Sequence, residues 1–377
     1  MNQPPPLPEE PPGPGQLLHT VCPTCGSQVG YAPGTTALRC TSCHGLVDIE
    51  VDHDAVIEEH DYDAWQARHG SLEVASVGEH VLQCQTCGAT TETLDLAASC
   101  QFCSGHLVAL DHPAGLMVPE GVVPFGLDRR AAQEAFGGWV RSRWFAPNAL
   151  KKVRSTEQLT GTYVPHWTFD AQTRTRYRGQ RGEHYYVTVT DRVSDGKGGT
   201  KTVTRQERRT RWYPASGNVA RFFDDVVVPA SSRLDDDRLS SMGPWRLEDA
   251  VPYQPQYLAG YAALRYDVDP DDGSTRAREQ MKDVIRDDCK RDIGGDEQRV
   301  NMMDVRYSEA MFKLLLLPLY IATYLYAGRS FQVLVNADTG EVVGERPYSW
   351  VKITAAVLLT LIMVALTLFA MSGQESG

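Results

Sequence analysis

Apolar residues recur at two periods along this chain, and the period changes mark the elements. From Asp128 to Trp144, the residues Ala131, Ala135, Phe136, Trp139 and Val140 fall on one helical stripe, with Asp128 placed to cap it. A looser helical spacing of Val56, Ile57, His60 and Trp65 predicts a spacer helix within Asp54–His69. Ser274 to Asp292 is helical again, and Gly294-Gly295 ends it. Between these helices Thr162–Arg178 alternates with period two. Trp167, Phe169, Ala171 and Tyr177 share one face, and His166, Asp170, Gln172, Arg174, Arg176 and Arg178 share the other, the pattern of a half-exposed strand. Tyr185–Val193 and Thr200–Trp212 continue the alternation across the turn-forming run Ser194–Gly199, which predicts an antiparallel meander.

Two apolar runs stand out from this patterning. Leu314–Ala327 has 14 uncharged residues and is interrupted by Pro318, too short to cross a bilayer comfortably, so it reads as a buried strand or strand pair. Phe331–Val343 adds two short strands around the hairpin signal Asn336–Gly340. Ile353–Met371 is different: 19 consecutive residues carry no charge, which as a helix is about 28 Å, close to the hydrocarbon thickness of a bilayer. Tyr348 and Trp350 precede it as interfacial aromatics, and Arg346 and Lys352 place its basic flank on the N-terminal side. A soluble helix of this length should show a polar stripe, and this one does not. The expectation is a single transmembrane helix over 350–371 at the cell membrane, a short tail over 372–377, and the bulk of the chain in the cytoplasm.

Cysteine usage supplies the chemistry. Eight of nine cysteines form four Cys-x-x-Cys pairs between residues 22 and 103. Cys22 and Cys25 are matched with Cys40 and Cys43 across 14 intervening residues, and Cys84 and Cys87 with Cys100 and Cys103 across 12. Two thiolates three positions apart present both sulfurs to one side, and a second such pair closes a tetrahedron around one ion. Gly26 and Gly88 follow the first pair of each set, where the backbone must turn while amides approach sulfur. The expectation is two structural Zn2+ ions in two ribbons, over 18–52 and 79–113, joined by an acidic helical spacer over 53–78. Four sulfurs leave no position for water or substrate, so hydrolytic chemistry at the metal is not expected. Dithiol redox chemistry would need one activated pair rather than pairs matched in twos. Reduced thiols also imply a reducing compartment. His44 and His106 adjoin complete sets and read as surface residues, and Cys289 as an ordinary thiol.

Charge refines the choice of partners. The net charge of −11 excludes non-specific attraction of the whole molecule to nucleic acid or anionic lipid. Asp48, Glu50, Asp52, Asp54, Glu58, Glu59, Asp61 and Asp63 would repel phosphate near the first ribbon, which favours protein over nucleic-acid partners there. Residues 174–211 reverse the balance, with eleven Lys or Arg against four acids. Arg174, Arg176 and Arg178 form a candidate anionic-ligand face for lipid headgroups or a phosphate backbone; the competing reading is an exposed edge kept from aggregating by its charge. No G-x-x-x-x-G-K-[ST] motif exists, so no ATP-driven motor is expected. The acids Asp224, Asp225, Asp235, Asp236 and Asp237 have no base, nucleophile or histidine beside them in sequence, so neither an enzyme nor a small-molecule substrate is expected.

The stretch LTGTYVPHWTFDAQTRTRYRG, the later VVVPASSRL, YLAGY and LLLLPLY, and VLVNADTGEVVGERPYSW before the terminal apolar run resemble a family of bacterial tail-anchored zinc-ribbon membrane proteins. Its members are often labelled primosomal helicase PriA-like, although helicase motifs are missing. The resemblance implies partners similar to phage-shock-type PspA or SPFH proteins and a membrane-stress or scaffold role. Together these readings predict an α+β protein: a Pro-rich leader over 1–17, two zinc ribbons, a mixed antiparallel-sheet and helix domain over 114–347, and a terminal span. Its expected function is a scaffold or adaptor recruiting proteins to the membrane, the alternative being a membrane-attached nucleic-acid-binding protein.

Overall fold

The computed structural model describes residues 21–50, 55–69, 80–83, 90–93, 95–99, 106–108, 117–142, 159–194, 200–326, 329–344, 352, 354 and 357–366. The Pro-rich leader lies outside them. Near the N-terminus, β1 (Val29–Tyr31), β2 (Ala37–Cys40) and β3 (Leu46–Asp48) form a small antiparallel sheet. After it come β4 (His60–Asp61), α1 (Tyr62–His69), the hairpin β5 (His80–Gln83) and β6 (Thr90–Thr93), β7 (Ala97–Ser99), β8 (His106–Val108), β9 (Gly121–Val122) and α2 (Arg129–Ser142). The long strands β10 (Thr160–Ser194) and β11 (Thr200–Pro229) follow, then α3 (Asp236–Ser241), β12 (Val251–Pro252), β13 (Ala262–Ala263), α4 (Pro270–Ile293), β14 (Glu297–Tyr326), β15 (Arg329–Asn336) and β16 (Val342–Gly344). The α+β class read from the sequence is what the fold shows.

Helix α2 starts where Asp128 was expected to cap it: the Asp128 carboxylate accepts from the Ala131 amide at 2.8 Å. Helix α4 begins four residues earlier than its apolar pattern suggested. Asp269 caps it through the Asp272 amide, Pro270 occupies the first turn, and Gly294 at φ 62° ends it. The α1 spacer is not a solvated rod: Tyr62 and Trp65 are buried against Phe169 and Phe312 of the main sheet. Strands β4 and β7, from segments assigned by sequence to the spacer and second ribbon, also join that sheet.

β10 is the axis of the molecule. It pairs antiparallel with β11 on one side and with β14 on the other. Its 35 residues correspond to about 115 Å of extended chain. All three strands are irregular at one level. The β10–β11 register shifts between Phe169 and Ala171, the β10–β14 register shifts between Asp170 and Gln172, and Asp225 and Glu309 sit at positive φ. Inside this level the sheet is covered on both faces; outside it, as far as the Gly182–Glu297 pair, only one face is covered.

The covering layers correct the half-exposed reading of Thr162–Arg178. His166, Thr168 and Asp170 are buried. Trp245 lies beside His166, and Ile57 and Leu247 pack in the same cluster as Leu315 and Val227, which stand opposite His166 and Thr168. Lys313, Glu59 and Asp225 close around Asp170, while Leu234, Leu239 and Met242 cover Val164 farther in. Only from Gln172 outward does the alternation expose one face. The opposite face is covered by α4, whose buried residues Ala277, Met281, Ile285, Cys289 and Ile293 recur every fourth position. Gly273 lets the helix approach closely, since a Cβ there would stand 2.7 Å from the Trp167 ring. Tyr177 donates to Asp292 at 2.5 Å and Arg221 to Asp288 at 2.6 Å, fastening the outer part of α4 to the sheet.

Leu314–Leu317 are buried within β14, as a strand and not a span. The Asn336–Gly340 turn joins β15 to β16, with the Asn336 side chain accepting from the Asp338 and Thr339 amides. Beyond the Gly182–Glu297 pair β14 ends, and β10 and β11 continue alone as a two-stranded arm from Glu183 to Ser194 and back. The arm is about 40 Å long at the usual strand rise. Gly344 lies next to Val333, which lies next to Ala322, so the chain leaves the sheet at the end opposite the arm.

Of the expected span, Lys352, Thr354 and residues 357–366 are described and helical. Among the described residues no helix is long and apolar enough to cross a membrane; the remainder of 350–371 lies outside them. The described part is apolar and uncovered, with Val357, Leu358, Leu359, Leu361, Ile362, Met363, Val364 and Leu366 between 49% and 67% exposed.

Candidate metal centre and basic sheet face

The first cysteine set is assembled. Ligand atoms of Cys22, Cys25, Cys40 and Cys43 all lie within 4.8 Å of one another. Cys22 and Cys43 sulfurs are 3.6 Å apart, and Cys25 and Cys40 sulfurs 3.5 Å. A tetrahedral ion with sulfurs at about 2.3 Å would hold them about 3.8 Å apart, so the set fits a metal ion with little movement. Local structure explains the assembly. Gly26, at φ 71°, donates its amide to the Cys22 carbonyl and reverses the chain after the first pair. The Ser42 and Cys43 amides point at the Cys40 sulfur at 3.4 and 3.5 Å, closing the second turn around it.

Four sulfurs this close cannot all be thiolates without a cation, because each negative charge disfavours the next. Hydrogen bonds from the Ser27 side chain and amide, with the Cys40 thiol, bring Cys25 down to about 6. Cys43 receives a bond from the Gly45 amide that favours its thiolate, yet the thiols of Cys40, Cys22 and Cys25 push it up to about 12. A bound metal ion would resolve this conflict by accepting all four sulfurs as thiolates. Cys22 and Cys40 are buried, while Cys25 and Cys43 are exposed. His44, at φ 59°, terminates the second turn and is not part of the cluster.

The lobe is seated on the rest of the protein. Tyr31 donates its amide to the Ala259 carbonyl at 2.7 Å and Gly34 to the Phe125 carbonyl at 2.9 Å. Cys22, Cys40 and Tyr31 belong to the same hydrophobic cluster as Phe125, Tyr163, Tyr257 and Tyr320. The second set, Cys84, Cys87, Cys100 and Cys103, lies outside the described residues. Its neighbours are strands: β5 ends at Gln83 and β7 ends at Ser99, immediately before two of the expected ligands.

Arg174, Arg176 and Arg178 do share an exposed face, on the outer part of β10. Tertiary pairing adds residues that the sequence reading did not include. Arg306 lies directly opposite Arg174, and Asp304 opposite Arg176; on the other flank stand Ala220 and Asn218. These residues line a shallow cavity of about 340 Å³. The signal missed was the alternation within Met302–Ser308, where the even positions are exposed. Among the described residues Arg174, Arg176, Arg178 and Arg306 have no carboxylate within salt-bridge distance. The arm is different: Arg205 meets Asp191 at 2.7 Å, Arg209 meets Glu207 at 3.1 Å, and Arg211 lies over the Tyr185 ring.

A second polar cluster sits where the three strands are irregular. Lys313 bridges Glu59 at 2.7 Å and Asp225 at 2.8 Å, and Asp170 accepts from the Asp225 amide. Burial works against the Lys313 charge, but the bonds to Asp225 and Glu59 prevail and raise its pKa. Asp170 is pushed up to about 6, chiefly by burial. Of the other acids singled out, Asp235 caps α3 and Asp236 pairs with Arg276 at 3.0 Å.

Comparison with known proteins adds one relative. Over 341 residues the chain is 27% identical to YdjG of Bacillus subtilis (strain 168), described only as an uncharacterized protein, with 90% of this chain and 93% of that one covered. No family model matches the chain. No solved structure matches it either.

Proposed function

We propose that this protein is a membrane-attached adaptor on the cytoplasmic face of the cell membrane, holding two structural zinc ions and recruiting protein partners through its lobe and sheet. The observation that carries this reading is the apolar helix of residues 357–366, all of whose large side chains are about half exposed or more. An apolar helix without a polar face needs either a protein core or lipid around it. The described core does not cover it. Its place in the chain supports an anchor, since it follows the end of the sheet opposite the arm.

An adaptor needs rigid display more than an active site, and the long paired strands β10, β11 and β14 support that reading. The four-sulfur set is closed to substrate, and its thiolate chemistry suits zinc. The arm would project partner-binding surface away from the membrane. Asp48 and Glu50 beside the first lobe oppose phosphate there and favour protein contact. Partners similar to PspA or SPFH proteins, and a role in membrane stress, are the specific form of this proposal.

The test is crosslinking of full-length protein in native membranes, followed by carbonate extraction and metal analysis. The proposal expects retention in the carbonate pellet, about two zinc per chain, and crosslinked proteins that disappear when Cys22 and Cys40 are replaced by Ser. Release by carbonate, or an unchanged crosslinking pattern in the variant, would refute it.

A further inference from the structure

The unpaired arginines on the bare sheet face are a costly arrangement if they bind nothing. Arg174 and Arg306 are direct cross-strand neighbours, a placement that is unfavourable for like charges. Arg176 and Arg178 extend the row on the same face of β10. Among the described residues Asp304, the acid lining the row, makes no ion pair within 4 Å with an arginine, although the arm a few residues away shows the same chain pairing its arginines closely. Beside the row, Ala220 and Asn218 are short, so the arginines form one wall of a trough and the small β11 residues its floor. The trough volume, about 340 Å³, is at the lower end for small-ligand sites.

We propose that this trough is a binding site for a phosphate group on a small ligand, seated among Arg174, Arg176 and Arg306, with Asn218 and Asp304 facing the rest of the molecule. Guanidinium groups suit a phosphate because each offers two parallel donors, and three together replace mutual repulsion by attraction to one dianion. Asp304 lowers the local charge and limits affinity for a bare anion; it accepts a hydroxyl or amine from a ligand that carries one. The concave shape favours a discrete group over a flat surface. The chemistry is shared by a soluble phosphate ester and by an anionic lipid headgroup. The proposal stands whether or not the chain is membrane-attached.

The experiment uses the full-length protein in phosphatidylcholine nanodiscs, titrated with inorganic pyrophosphate by calorimetry. Arg176→Ala and Arg306→Ala should each weaken binding about tenfold or more, the usual effect of one charge-assisted bond, and Asp304→Asn should tighten it. Arg205→Ala, which removes a paired arm arginine exposed to solvent, should leave binding unchanged. All of these positions are exposed, so folding does not depend on them. Repeating the titration in nanodiscs with about 30% phosphatidylglycerol separates the sources: a headgroup occupant lowers the apparent pyrophosphate affinity of the native protein, and a soluble one leaves it unchanged. Equal losses for Arg205→Ala and Arg176→Ala would overturn the proposal, because net charge and not the trough would then explain binding. A single-stranded oligonucleotide that binds far more tightly than pyrophosphate, with a salt dependence of many phosphates, would overturn it as well.

Discussion

Replacing His166 by asparagine should remove a large part of the acid sensitivity of this fold. His166 is buried in β10, its Nδ1–H donating to the Val164 carbonyl at 2.9 Å, and its Nε2 is buried with no hydrogen-bond partner. Protonation would create a charge and an N–H group with nowhere to go, so burial holds its pKa down, from the usual 6.5 to about 4. The unfolded chain therefore takes up a proton at a pH where the folded chain does not. Stability from this residue is complete above about pH 6.5 and is lost as pH falls toward 4. A difference of about 2.5 pH units is worth about 3 kcal/mol. Asp170, two turns of the pleat away, acts in the opposite sense: burial pushes it up to about 6, so its protonation between about pH 6 and 4 favours the folded state. The native protein will thus show less net pH dependence than His166 alone would produce, and subtraction of the variant isolates the histidine. The assay is urea unfolding in mild detergent between about pH 7 and 4.5, followed by tryptophan fluorescence, because the Trp245 ring is 5.9 Å from His166. The introduced asparagine retains a donor for the Val164 carbonyl and cannot titrate. If the variant loses stability on acidification as steeply as the native protein, the assignment to His166 is wrong.

Three further outcomes follow from the same structure. Gly179→Ala should destabilise by about 1–3 kcal/mol, since its Cβ would press on the Arg299 carbonyl and Ile293, and hydrogen exchange should quicken at the outer β14 amides before those of the inner strands. Cys22→Ser with Cys40→Ser should halve the zinc content and open the segment around Tyr31 to limited proteolysis, because both cysteines sit in the cluster that seats the lobe; zinc content equal to the native protein's would contradict the four-sulfur site. Leu361→Arg, which places a charge in the middle of the apolar helix, should reduce membrane insertion by about 3 kcal/mol, measured as a shift from the carbonate pellet to the supernatant; undiminished pelleting would mean the helix does not span.

Several elements were legible in the sequence because their signals are local. The Asp128 cap of α2, the Gly294 end of α4 and the Asn336–Gly340 turn each depend on residues within one turn of one another. The Cys22, Cys25, Cys40 and Cys43 set was legible for a related reason: two knuckles joined by a short loop have few ways to meet except around one ion. Leu314–Leu317 could be read as strand by length alone.

What the residues by themselves determined, then, is the kind of the strongly periodic elements, such as α2, α4 and the long strands, and the grouping of the first sulfur set, whereas His60–Asp61, expected within a spacer helix, became strand β4 because the main sheet pairs with it. Tertiary structure decided which faces are buried and which charges meet. The alternation of His166, Thr168 and Asp170 with their apolar neighbours is a polar–apolar pattern that normally marks one wet face, but Trp245 and Leu247 from one side of the sequence and Ile57 and Glu59 from the other close over it, and no local signal records a layer supplied from so far along the chain. The same holds for the basic trough. Arg174 and Arg306 are far apart in sequence, and only the antiparallel register of β10 with β14 makes them neighbours. Period and composition act within a segment, whereas burial and electrostatics are set by whatever segment the fold brings alongside.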